Sequence, residues 1–197
     1  MAKAKPPRVT LDAIRVTLRA AAEQYLRRVA QLHPGETVYG FLLEMSTEGF
    51  SGYGAFNTEE NLIRVAEQNA AENSDDEDQN TAEKARVVWR WSFANAGWCQ
   101  PPNAAFEAVN KLLDRASDEG LYEEYGDELE KLCVEVLREM AAAGRCDIGP
   151  GGERIGVGLC YIGGDNSPEE FLRWARQVNP QTVYRRVRRE YLASVPE

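Results

Sequence analysis

The sequence predicts an α+β domain, a mainly antiparallel sheet of about four strands flanked by helices. Three observations predict it. Thr37 to Met45 and Phe50 to Phe56 are apolar segments joined by a short turn, as in a hairpin. Ala85 to Phe93 and Arg154 to Ile162 repeat a period of two. Around these segments, apolar residues recur at steps of three and four, the signature of helices with one buried face.

The first nine residues form a basic, Pro-containing tail, and a single α+β domain is expected over residues 10–195. Leu11, Ile14, Leu18, Ala22, Tyr25 and Val29 make one helical stripe, ended by His33-Pro34-Gly35. Thr37 to Met45 then reads as an inner strand, because both of its faces are mostly apolar. Strict alternation points Tyr39, Phe41, Leu43 and Met45 to one face and Val38, Gly40 and Leu42 to the other. Ser46 to Gly49 is the expected turn. Asn57 and Glu60 stand at capping-box spacing for a helix carrying Leu62, Ile63 and Ala66.

Glu72 to Asp78 reads as a solvated charged loop. In Ala85 to Phe93, Val87, Trp89, Trp91 and Phe93 alternate with Val88, Arg90 and Ser92, which predicts the third strand. After an irregular segment, Asn103 is placed to cap a helix with Phe106, Val109, Leu112 and Leu113 inward. A second acidic stretch, Glu119 to Asp127, precedes a longer helix through Leu129, Leu132, Cys133, Val136, Leu137 and Met140. The fourth strand, Arg154 to Ile162, alternates Ile155, Val157, Leu159 and Tyr161 with the small Gly156, Gly158 and Cys160. Ser167-Pro168-Glu169-Glu170 is a strong helix start. Asn179-Pro180 separates that helix from a last one rich in arginine.

A chain of 197 residues suffices for one core, and a domain of this size buries roughly 70% of its unfolded surface. The net charge of −9 disfavours binding to nucleic acid or to an anionic membrane and favours a basic protein partner. No segment reads as a signal peptide or a membrane span. Cys99, Cys133, Cys146 and Cys160 form no C-x-x-C pair, so reduced thiols in the cytoplasm are expected.

No reaction is legible in the residues. His33 is the single histidine, and nothing beside it completes a triad. One histidine and four scattered cysteines do not make a zinc site, so no metal and no cofactor are expected. Gly149 to Gly152 precedes a strand, the wrong order for a phosphate loop. Gly163-Gly164 is correctly placed, but Asp165, Glu169 and Glu170 already occupy the helix N-terminus behind it. Asp75, Asp76, Glu77 and Asp78 lack the alternating spacing of a calcium loop. Glu44, near the end of an apolar strand, reads either as a strand-end residue reaching water or as a buried acid or base. Trp89 and Trp91 read as core, whereas Trp98, in the irregular segment, reads as an exposed anchor.

Asn57-Thr58-Glu59-Glu60, Arg64-Val65-Ala66, Arg90-Trp91-Ser92, Trp98, and Phe106, Val109 and Asn110 together resemble blocks of an uncharacterised bacterial family, the domain of unknown function 4303. The late strand and Val178-Asn179-Pro180 fit its end, so the resemblance spans Leu11 to Pro180. The segment between Ser92 and Trp98 departs from the pattern. The resemblance implies no reaction. It implies a role of the kind small acidic proteins play as immunity proteins against toxins. On that reading a basic toxin domain is the partner. Asp75, Asp76, Glu77, Asp78, Glu123 and Glu124 are its contacts, with Trp98 as anchor. Two alternatives stay open: a small-ligand binder or enzyme using Glu44, and a self-associating domain using the small face of Gly156, Gly158 and Cys160.

Overall fold

The computed structural model describes residues 8–46, 51–72, 82–91, 98, 104–162 and 167–194, with the side chains of 88, 122–126 and 162 left aside. Several expectations therefore lie outside the described residues: most of the N-terminal tail, the turn at 47–50, the acidic run at 73–78, Cys99, Asn103, and Gly163-Gly164-Asp165. Val9, at the end of the expected tail, is buried, and its N–H donates to Glu119 Oε2 at 2.9 Å.

Among the described residues the sheet has three strands, β1 (Val38–Ser46), β2 (Gly52–Thr58) and β3 (Gly156–Ile162), in the order β2-β1-β3. The β1–β2 hairpin is antiparallel, but β1 and β3 run parallel, so the sheet is mixed rather than mainly antiparallel. The central place of β1 agrees with its two apolar faces; all but Ser46 of its residues are buried. Strict alternation fails at its start. The register shifts between Val38 and Gly40. This bulge rotates the chain, so Tyr39 joins Leu42 on the second face while Val38 joins Phe41 and Leu43 on the first.

The expected third strand is instead a helix, α3 (Ala82–Trp89). Ala82, Ala85, Arg86 and Trp89 also recur at helical steps, and Ala, Glu, Lys and Arg are strong helix formers. Alternation would have buried Val87, which is 42% exposed. The helix packs on α2 (Glu59–Glu72). The start of α2 is also shifted. Asn57 stays paired in the ladder opposite Gly40, and Thr58 is the cap, its Oγ1 accepting from Asn61 N–H at 3.1 Å. Glu60 reaches back to the Thr37 N–H at 2.8 Å instead of closing a box on Asn57.

Two cores lie on either side of the sheet. The first packs Phe41, Leu43, Val157 and Leu159 against α1 (Leu11–Leu32), α4 (Glu107–Asp118) and α5 (Leu121–Ala142). Here Ile14, Leu18, Ala22, Tyr25 and Val29 are buried as the stripe predicts. Gly54 admits the Tyr25 ring, for a Cβ there would lie 2.9 Å from it. A 3-10 turn, Ala104–Phe106, leads into α4, and Gly120 at φ 71° makes the tight turn to α5. The second core packs Tyr39, Leu42 and Leu62 against Trp91, Trp98, α6 (Pro168–Val178) and α7 (Gln181–Ser194). The Ser167 start of α6 has both bonds of the capping box, as the sequence predicts.

The β3 edge is closed by a side chain. Buried Asn179 accepts from Val157 N–H at 3.0 Å and donates to Val157 O at 2.6 Å and Ala175 O at 2.8 Å. One amide thus satisfies both outward backbone groups of an edge-strand residue.

Candidate functional site

The second face of β1 carries two of the residues singled out from sequence, Trp98 and Glu44. Tyr39, set by the bulge, donates its hydroxyl to Arg90 O at 2.8 Å. The Arg90 guanidinium lies 4.5 Å from the Tyr39 ring centroid and donates to both Glu59 oxygens, at 2.7 and 2.6 Å. Trp91 Nε1–H donates to Glu190 Oε2 of α7 at 3.1 Å. Burial raises the Tyr39 phenol well above its ordinary value. Burial works against the Arg90 charge, but the Glu59 fork outweighs it and holds that group above its ordinary value. With Tyr39 held neutral and Arg90 held charged, this cluster ties β1, α2, α3 and α7 together.

Trp98 is not an exposed anchor. It is 9% exposed, with its ring 5.7 Å from Trp91 and 5.8 Å from Tyr39. The reason is Gly40 beneath it: a Cβ there would stand 2.9 Å from Trp98 Cη2. A glycine on the central strand thus makes the socket that draws this tryptophan inward.

Glu44 does not reach water as a strand-end residue would. It is 5% exposed, because β2 and β3 flank it at Tyr53 and Cys160. It shares the face of Gly40 and Leu42, roughly 13 Å along the strand from Gly40. Burial, and then the Glu44 charge, push the Cys160 thiol far above the usual range. The small face of β3 is filled from within the chain. A Cβ on Gly156 would lie 2.7 Å from Trp91 Cη2 and 2.8 Å from Val187 Cγ2, and one on Gly158 2.9 Å from Phe171 Cε2. That face is therefore covered by this chain's own side chains.

The remaining predicted contacts are acidic. Asp75, Asp76, Glu77 and Asp78 lie outside the described residues. Glu123 and Glu124 fall in the first turn of α5, their side chains outside the described set. Flanking that corner, Asp114 and Asp118 of α4 and Asp127 and Glu128 of α5 are exposed. Asp114 and Asp118 escaped the sequence reading because the helix was recognised by its inward residues. Their spacing of four places them on one outer face. His33 pairs with Glu36, Nδ1 to Oε1 at 2.8 Å, and packs on Phe56. Among the described residues no group of three His, Cys, Asp or Glu side chains is placed to hold a metal ion, and no helix is long and apolar enough to cross a membrane.

The architecture defines an α+β protein with a helix-covered mixed sheet, three-stranded among the described residues. Residues 14–180 match the family described as Domain of unknown function (DUF4303), and the chain belongs to that family. No curated protein and no solved structure matches the chain.

Proposed function

We propose that this chain is a non-enzymatic protein-binding domain that neutralises a basic partner, most concretely as an immunity protein covering the cationic active surface of a toxin. The supporting observation is the α4–α5 corner, where Asp114, Asp118, Asp127 and Glu128 are exposed around the turn that also carries Glu123 and Glu124. A net charge of −9 adds a long-range attraction for a basic protein and speeds its encounter. The acidic run Asp75 to Asp78 is the second contact in this reading, and the protein acts in the cytoplasm of a bacterial cell. The test is affinity capture from the native cell with mass identification of what is retained. The expected partner is a basic protein, and lysine at positions 114, 118, 127 and 128 together weakens its binding at least tenfold. Retention of no basic protein, or unchanged affinity after reversing both this corner and residues 75–78, overturns the reading.

A second reading rests on Glu44, a carboxylate 5% exposed within an apolar sheet. A carboxylate kept there for a ligand or a reaction is held at the expense of stability. Glu44→Gln would then raise stability by about 0.5–2 kcal/mol in urea unfolding. A loss of stability instead assigns Glu44 to the architecture.

A further inference from the structure

The arginines of α1 are treated in two ways. In its first half, Arg15 pairs with Glu135 and Glu139 of α5, and Arg19 pairs with Glu23 and Glu139. In its second half, Arg27 and Arg28 are exposed and make no ion pair among the described residues. In a chain with 32 acidic and 23 basic residues, two adjacent arginines left without a carboxylate are notable by position. Both line a cleft of about 610 Å³ between α1 and the 3-10 turn before α4.

The walls of the cleft fall into two parts. Gln24, Arg27, Arg28 and Gln31 recur at helical steps along one face of α1 and supply donors over roughly 10 Å of helix. Leu32, Ala104 and Ala105 supply apolar surface, with Leu32 47% exposed and the buried Tyr25 as the floor behind them. Among the described residues that line the cleft there is no carboxylate. Its volume falls in the range of small-molecule sites, which are mostly apolar with a few convergent polar groups. Phosphate, sulfonate and carboxylate groups match the guanidinium fork, and a flat or chain-like apolar body matches the Leu32–Ala104–Ala105 surface.

We propose that the cleft between α1 and the 3-10 turn is a binding site for an amphipathic organic anion, its acidic head held by Arg27 and Arg28 and its apolar body lying on Leu32, Ala104 and Ala105. The site stands apart from the acidic corner and does not depend on the partner proposed for it. It takes a ligand of charge opposite to that partner's.

The probe is 8-anilinonaphthalene-1-sulfonate, which carries one sulfonate on an aromatic body, titrated by fluorescence against the folded full chain. The expected result is saturable binding that weakens at least tenfold in Arg27→Ala/Arg28→Ala and is lost in Ala104→Trp, which fills the cleft and leaves the arginines. Gln24→Trp, filling it from the opposite wall, gives the same loss if Ala104→Trp does not fold. The uncharged N-phenyl-1-naphthylamine is expected to bind at least tenfold more weakly than the sulfonate. Binding that is absent from the folded chain, unchanged without the two arginines, retained when the cleft is filled from either wall, or equal for the uncharged analogue overturns the proposal.

Discussion

The side chain of Asn179 is the most informative single position to perturb. It makes three hydrogen bonds, two of them to the N–H and C=O of Val157, a residue with no exposed surface. In Asn179→Ala all three are lost, and the shortened side chain leaves buried backbone groups without a partner. At about 1 kcal/mol for each hydrogen bond the loss is near 3 kcal/mol, and the stranded groups take it toward 4. For a domain of this size that corresponds to a fall in Tm of roughly 6–16 °C. Urea unfolding followed by tryptophan fluorescence measures it, with an unchanged m-value showing that the folded state is intact. Asn179→Asp keeps the acceptor for Val157 N–H but turns a carboxylate toward the Val157 and Ala175 oxygens. It should cost more than alanine at neutral pH, and the excess should shrink as acid protonates the group. An Asn179→Ala protein within about 0.5 kcal/mol of the parent would refute the idea that this amide closes the sheet edge.

Other predictions follow from the same geometry. Gly156→Ala drives a methyl group to 2.7 Å from the buried Trp91 ring, so it should lose about 1–3 kcal/mol in urea unfolding. Arg90→Lys keeps the charge but not the fork to Glu59 or the stacking on Tyr39, and should cost about 1–2 kcal/mol in the same assay. Hydrogen bonds from His33 and Thr58 hold the Glu36 carboxyl below its ordinary 4.5, and Arg154 holds Asp147 below its ordinary 3.8. Depressed folded-state values stabilise fully above those ordinary values, and the contribution is lost as pH falls through the folded-state values. Urea midpoints should therefore drop in acid, and Glu36→Gln with Asp147→Asn should flatten the drop. Burial pushes the Cys133 and Cys146 thiols up to about 12 and Cys160 higher still. Ellman's reagent at pH 8 should reach these three only after unfolding, and labelling of any of them in the native protein would refute their burial.

Most helices were legible because their signals are local. The α1 stripe, the inward residues of α5 and the Ser167 capping box each follow from spacing within a few turns. The inner strand was legible from two apolar faces. The segment Ala85 to Phe93 was not, because its alternating aromatic and β-branched residues match a strand while Ala82, Ala85, Arg86 and Trp89 match helical steps over the same short run. The site residues divided in the same way. Glu44 and Trp98 were picked out by residue type, but whether each meets water depends on strands and a glycine far away in sequence.

The chain's own order of residues thus determined an acidic α+β protein with a central apolar strand, capped helices and family membership, since each rests on composition or on contacts between near neighbours. Tertiary structure decided what depends on distant partners. The β3 register made the sheet mixed and sealed Glu44 beside Cys160. Gly40 turned Trp98 from an expected anchor into core. Asn179, legible only as a helix stop, became the closing edge of the sheet. A residue's sequence states which contacts it can make; only the packed chain decides which partner arrives and whether water is left beside it.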